Sequence, residues 1–138
     1  MGARPEIQGF AGAWFERAAA HTRQHVLTPT LTILTPTVPY LVACKIEAFR
    51  DRGAADPMAS TDFEDLVALL DGCVDLETSV TAAEADVRAF IAEWCAGLLA
   101  DRSLIQAADG QLPRGGDFDG RRQRLRARLE RLASLITR

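Results

Sequence analysis

The sequence predicts an α+β chain, mostly helical, with one short β-hairpin near the N-terminus. Two patterns carry that prediction. From Val38 onward, apolar residues recur at spacings of three and four, the period of a helix packed on one side. Before it, Val26 to Thr35 has the β-branched content and the breakers of two short strands. With 138 residues, 48% of them apolar and 25% charged, the composition is that of an ordinary globular chain able to bury one modest core. The predicted organisation is a single domain, 1–138. A lead-in helix and strand pair occupy 1–37, two motif-bearing helices 38–72, and C-terminal helices 81–138 with a loop at about 109–119.

In chain order, Met1–Phe10 shows no periodicity and is predicted to be irregular. Ala11–His21 makes a short amphipathic helix around Trp14, Phe15 and Ala18. His21 and His25 are four apart, a spacing that suits two metal ligands only on a continuous helix. The threonines, Val26 and Pro29 that follow say the helix has already ended. A proline within the strand pair implies an edge position, or pairing with strands from elsewhere. Leu27-Thr-Pro-Thr30 recurs as Leu34-Thr-Pro-Thr37, an echo too short for a structural repeat.

Val38–Arg52 is predicted to be helical, with Thr37 as cap, Pro39 in the first turn and Gly53 as stop. A second helix spans Ser60–Gly72, where Thr61 and Glu64 have capping-box spacing and Gly72 ends it. Phe63, Leu66, Val67 and Leu70 form its buried face. Asp75–Val80 is predicted to be a linker, after which Thr81, with Glu84, opens a long helix through Ala100. Val87, Phe90, Ile91, Trp94, Leu98 and Leu99 are its candidate core positions. Leu104–Ala108 continues it as a short turn, and Ala107–Asp119 is a glycine- and proline-marked loop. The last helix, Arg121–Arg138, carries seven arginines against one glutamate and an apolar seam of Leu125, Leu129, Leu132 and Leu135. Its net +6 faces −9 on the rest of the chain, so it is either a solvated face or a stripe for RNA or phosphate through Arg121, Arg122, Arg124 and Arg128.

Lys45 is the only lysine beside fifteen arginines. An ammonium is a compact point charge that can follow a phosphate, where a guanidinium is a rigid fork. At ~100° per residue, Lys45, Ala48 and Arg52 share one face, beside the apolar strip of Val42, Ile46 and Phe49. Two cations flanking a small residue leave a notch suited to a polyphosphate. Asp62 and Asp65, three apart, share a flank of the next helix. There Asp62 has the position of a first-turn carboxylate favoured by the helix dipole, and Asp65 sits closer to the apolar face.

Lys45-x-x-Ala48-x-x-x-Arg52 followed by Asp62-x-x-Asp65 resembles the last two of four motifs of the AbiEii/AbiGii-type nucleotidyltransferases. These are polymerase-β-like enzymes, several of them toxins of bacterial toxin–antitoxin and phage-defence systems. The resemblance extends over roughly residues 6 to 110: Gly9-Phe10, Trp14-Phe15, a threonine-rich hairpin, Pro39-Tyr40-Leu41, Lys-x-Glu-Ala-Phe, Arg-Gly and Ser60-x-Asp62 come in the same order. It implies that Lys45 contacts NTP phosphates with support from Arg52, and that Asp62 or Asp65 orients a catalytic group or the acceptor. Transfer to RNA, or less favourably to protein, with release of pyrophosphate is implied, with Mg²⁺ and an NTP as cofactors. The family's Gly-Ser turn and its metal-binding Asp-x-Asp are not found before Gly9. The only Asp-x-Asp, Asp117-Phe-Asp119, lies late and between glycines, as a polar loop would. The chain therefore looks like a C-terminal portion without the metal-binding half, and no metal ligand is assigned. It is expected to be inactive alone, or else a non-catalytic helical interaction module or degenerate toxin remnant. Implied partners are an N-terminal half-chain, a cognate antitoxin, or a second copy meeting the strand pair.

No apolar run approaches ~20 residues and no N-terminal stretch has signal-peptide character, so a cytoplasmic protein without membrane contact is expected. Cys44, Cys73 and Cys95 contain no Cys-x-x-Cys pair and are expected to be free and buried. Arg17 and Arg88 fall outside the motif, and replacing them is expected to change nucleotide binding only by a small salt-sensitive amount.

Overall fold

The computed structural model describes residues 13–137. The lead-in Met1–Phe10, including the Gly9-Phe10 portion of the resemblance, lies outside the described residues. The architecture is the predicted one, mostly helical α+β. In order it runs α1 (Ala13–Ala20), β1 (Thr22–Thr28), β2 (Leu31–Pro36), α2 (Val38–Arg52), a 3-10 turn (Pro57–Ala59), α3 (Thr61–Gly72), α4 (Leu76–Thr81), α5 (Ala85–Ala100), α6 (Arg102–Gln111), α7 (Phe118–Ala133) and a closing 3-10 turn (Ser134–Thr137).

β1 and β2 pair antiparallel, Arg23 opposite Thr35 and His25 opposite Ile33, with an irregularity between Val26 and Thr28. The strands are longer than predicted, and Pro29 falls in the turn between them, where its missing N–H costs no ladder bond. Pro36 ends β2. His21 follows α1 and His25 lies within β1, so the pair never shares a helix face. The two Leu-Thr-Pro-Thr copies also part ways: one rounds the turn and the other leads from β2 into α2.

α5 packs against α2, α4, α6 and α7, while α3 lies across α2, α6 and α7. Ile46, Phe63, Leu66, Leu76, Ile91, Leu98, Leu125 and Leu129 are wholly enclosed. Each such side chain contributes about 1.5–3 kcal/mol relative to exposure. The predicted seam of the last helix, Leu125, Leu129, Leu132 and Leu135, is buried throughout, but α7 stops at Ala133 and Leu135 is carried by the closing 3-10 turn.

Several boundaries differ from the prediction for physical reasons. The supposed linker after Asp75 is α4, because Leu76 and Val80, four apart, both enter the core. The following helix starts at Ala85 rather than Thr81, with Glu84 at the cap position and its side chain engaged elsewhere. Leu104–Ala108 belongs to a separate helix, α6, which Asp101 caps by accepting the Leu104 N–H. It runs through Gly110, so the predicted loop shrinks to 112–117, where Gly115 and Gly116 turn the chain at φ 93° and 55°. Asp117 then caps α7 by accepting from the Gly120 N–H, and Asp119 faces Arg122 from the first turn. Of the predicted buried positions in α5, Phe90 and Leu99 are only partly covered, and Ala92 and Cys95 complete the face.

Candidate functional site

The joint between α2 and α3 begins at Gly53. A Cβ there would stand 2.4 Å from Ser60 Oγ and 2.9 Å from Phe49 Cδ1. Its φ is −120°, so glycine is required for this close approach and not for a left-handed stop. Ser60, seated against it, caps α3 by accepting the Phe63 N–H at 3.1 Å. The capping box expected from Thr61 and Glu64 is not formed. Thr37 likewise caps α2 through its backbone carbonyl alone, which accepts from Tyr40 and Leu41.

This joint sets Asp62 directly against α2. Its carboxylate accepts from Arg52 Nε at 3.0 Å and from Nη2 at 3.3 Å, and Lys45 Nζ lies 3.6 Å away. The same ammonium donates to Asp65 Oδ2 at 2.7 Å. Lys45, Arg52, Asp62 and Asp65 thus converge at the joint of α2 and α3. Their burial reverses the prediction: Asp62 is 2% exposed, whereas the Asp65 side chain is 51% exposed. Ala48 is buried as well, so the notch expected between the two cations is occupied by Asp62.

Two cations and two carboxylates cancel locally. Asp62 is committed to both cations, and only Asp65 leaves an exposed carboxylate, so this set does not fit Mg²⁺, which favours several oxygen ligands without competing cations. Lys45 borders an open cleft of about 550 Å³ shared by Leu41, Asp65, Leu69 and Gly72, and its ammonium is divided between buried Asp62, at 3.6 Å, and an exposed pair with Asp65. Such exposed pairs are worth roughly 0–1 kcal/mol.

A second cluster escaped the sequence reasoning. Arg17 of α1 joins Glu84 and Asp86 at the start of α5, and the Tyr40 hydroxyl donates to Glu84. His21 stacks on Tyr40 at 4.3 Å, and Arg17 lies over the Trp14 and Tyr40 rings. Hydrogen bonds hold both carboxyls below their usual values, Glu84 chiefly by Tyr40 and then Arg17, Asp86 chiefly by Arg17. Arg17 is therefore a clamp between α1 and the start of α5. Arg88 is also engaged, donating to the carbonyls of Thr81 and Ala83.

Four of the six arginines of α7 pair with acids on other helices. Arg121 pairs with Asp71 and Arg126 bidentately with Asp109, while Arg128 and Arg131 share Glu77. Arg128 also donates to the Leu70 and Cys73 carbonyls, satisfying the C-terminal end of α3. Arg122 and Arg124 make looser contacts, with Asp119 and Asp117 at 3.8 and 3.4 Å. All three cysteines are free; Cys95 is buried, and Cys44 and Cys73 are partly so. Burial, and then Glu47, pushes the Cys44 thiol up to about 11 against the pull of neighbouring Lys45.

Fold and cluster together define a mostly helical α+β chain with a partly exposed lysine held between two carboxylates. No family model, curated protein or solved structure matches it. No helix among the described residues is long and apolar enough to cross a membrane.

Proposed function

We propose that the chain supplies the phosphate-facing side of a nucleotidyltransferase of the AbiEii/AbiGii toxin type, active on an NTP and RNA only when a metal-binding half completes it. The observation that supports this is the convergence of Lys45, Arg52, Asp62 and Asp65 from two helices, with Lys45 open to a cleft. In this proposal Arg52 stays on Asp62 and fixes the joint. Lys45 exchanges Asp65 for a phosphate, and the released Asp65 is left facing the acceptor side. Mg²⁺ belongs to the completing half, since the carboxylates here are paired to cations. Proposed partners are that half-chain and a cognate antitoxin, with RNA as acceptor and the cytoplasm as location. The exposed apolar side chains of β1 and β2 favour a second reading, a helical interaction module without catalysis.

The test is an ATP titration without metal, followed by NMR. Weak binding is expected, high micromolar to millimolar, because few charged contacts must offset the cost of association. Lys45→Ala should abolish it and Lys45→Arg should weaken it. Asp65→Asn should tighten it by up to about fivefold, the equivalent of removing an exposed pair worth up to ~1 kcal/mol. If Lys45→Ala binds ATP like wild type, or the shifts map to α7, the proposal fails. Labelled NTPs with Mg²⁺ and total RNA should give no product with the chain alone; robust labelling lost in Lys45→Ala would refute the need for a second half.

A further inference from the structure

The β1–β2 hairpin carries polar surface in the wrong proportion for a free arm. Val26, Leu27, Leu31, Ile33 and Leu34 are 40–70% exposed. Ile33 and Leu34 are successive, so the hairpin is apolar on both faces. Among the described residues no third strand joins it, and the end of β2 lies against α1. A two-stranded hairpin in water is marginal, and an unguarded edge invites another strand.

The two edges are not equivalent. β1 carries Arg23 and the irregularity between Val26 and Thr28, features that discourage pairing. β2, Leu31-Thr-Ile-Leu-Thr-Pro36, has no charge and no irregularity, and its proline comes only at the end. Without charge, β2 gains nothing from an acidic or basic partner strand. Against itself, antiparallel across a two-fold axis, it brings leucine, isoleucine and threonine together and sets no like charges opposite.

We propose that two copies of this chain associate by antiparallel pairing of β2 with β2, forming a four-stranded sheet in which β1 is the outer strand on each side. This does not depend on nucleotide binding, and Lys45→Ala leaves it intact.

The experiment is light scattering on the full chain from about 1 µM to about 1 mM, the range that covers weak self-association. The expected result is a rise from the 15.0 kDa chain towards twice that mass. Ile33→Lys, which places an edge-blocking cation in β2, should hold the chain at the monomer mass with its helical circular dichroism unchanged. Leu27→Lys, beside the irregularity in β1, should leave the dimer in place. A monomer throughout, a dimer insensitive to Ile33→Lys, or equal loss with Leu27→Lys would overturn β2 pairing. Should Ile33→Lys unfold the chain, amide exchange of wild type decides: β2 amides must exchange more slowly at high concentration than at low, and unchanged exchange overturns the proposal.

Discussion

At the residue scale, Asp62 carries more of the structure than the lysine that draws attention to it. A carboxylate 2% exposed is costly unless both oxygens have partners, and Arg52 supplies most of that compensation. Arg52→Ala should therefore destabilise the chain by about 2–3 kcal/mol, the scale of a charged hydrogen bond lost from a buried group. Lys45→Ala should cost less, about 1 kcal/mol, because its closest partner is exposed. Urea unfolding of both variants checks this, and equal losses would contradict it. The sequence reading sets Asp65 nearer the apolar face, although helix geometry already favours Asp62. At ~100° per residue, Asp62 falls about 40° from buried Leu66, whereas Asp65 falls about 100° from it. What the sequence did not hold was the crossing of α2 and α3, which brings Lys45 to Asp65 and depends on packing between residues far apart in the chain.

At the element scale, the α2–α3 joint rests on a glycine whose side would otherwise strike Ser60. Gly53→Ala should destabilise by about 1–3 kcal/mol through crowding and should also displace the Ser60 cap. Ser60→Ala should lose only the cap, about 1 kcal/mol, and leave Asp62 in place. Thermal unfolding separates them: a Gly53→Ala variant as stable as wild type would mean the joint opens at no cost. The helices with long apolar stripes, α2, α3, α5 and α7, were readable because each repeats its spacing over several turns. α4 was not, since it offers only Leu76 and Val80, and α6 was obscured by Gly110. That glycine stays helical with its open side against the Met58 side chain.

At the scale of the whole molecule, the charge imbalance between α7 and the rest resolves inside the chain. Glu77 joins α4 to α7 through Arg128 and Arg131. Burial raises its carboxyl, but the Arg131 hydrogen bond and the two guanidinium charges outweigh this and hold it below its usual value. A carboxylate depressed in the folded state stabilises it above the unfolded value, about 4.3, and loses that contribution as pH falls through the folded value. Unfolding midpoints should therefore drop on the acid side of about pH 4, and Glu77→Gln should flatten that drop. An acid limb unchanged by Glu77→Gln would remove Glu77 as its cause. The sequence showed the arginine excess and the leucine seam of α7 but not the acids that meet it: Asp71, Glu77 and Asp109 lie on three other helices.

A chain with one lysine also has one side-chain amine to modify. Reductive methylation with a carbon-13 label would place a single resonance on Lys45, apart from that of the N-terminal amine. Its titration and exchange would report the grip of Asp65 directly, without assignment of the remaining spectrum. The same economy makes acylation at this position an all-or-none event: one acyl group removes the ammonium from both carboxylates and leaves Arg52 as the remaining cation on Asp62.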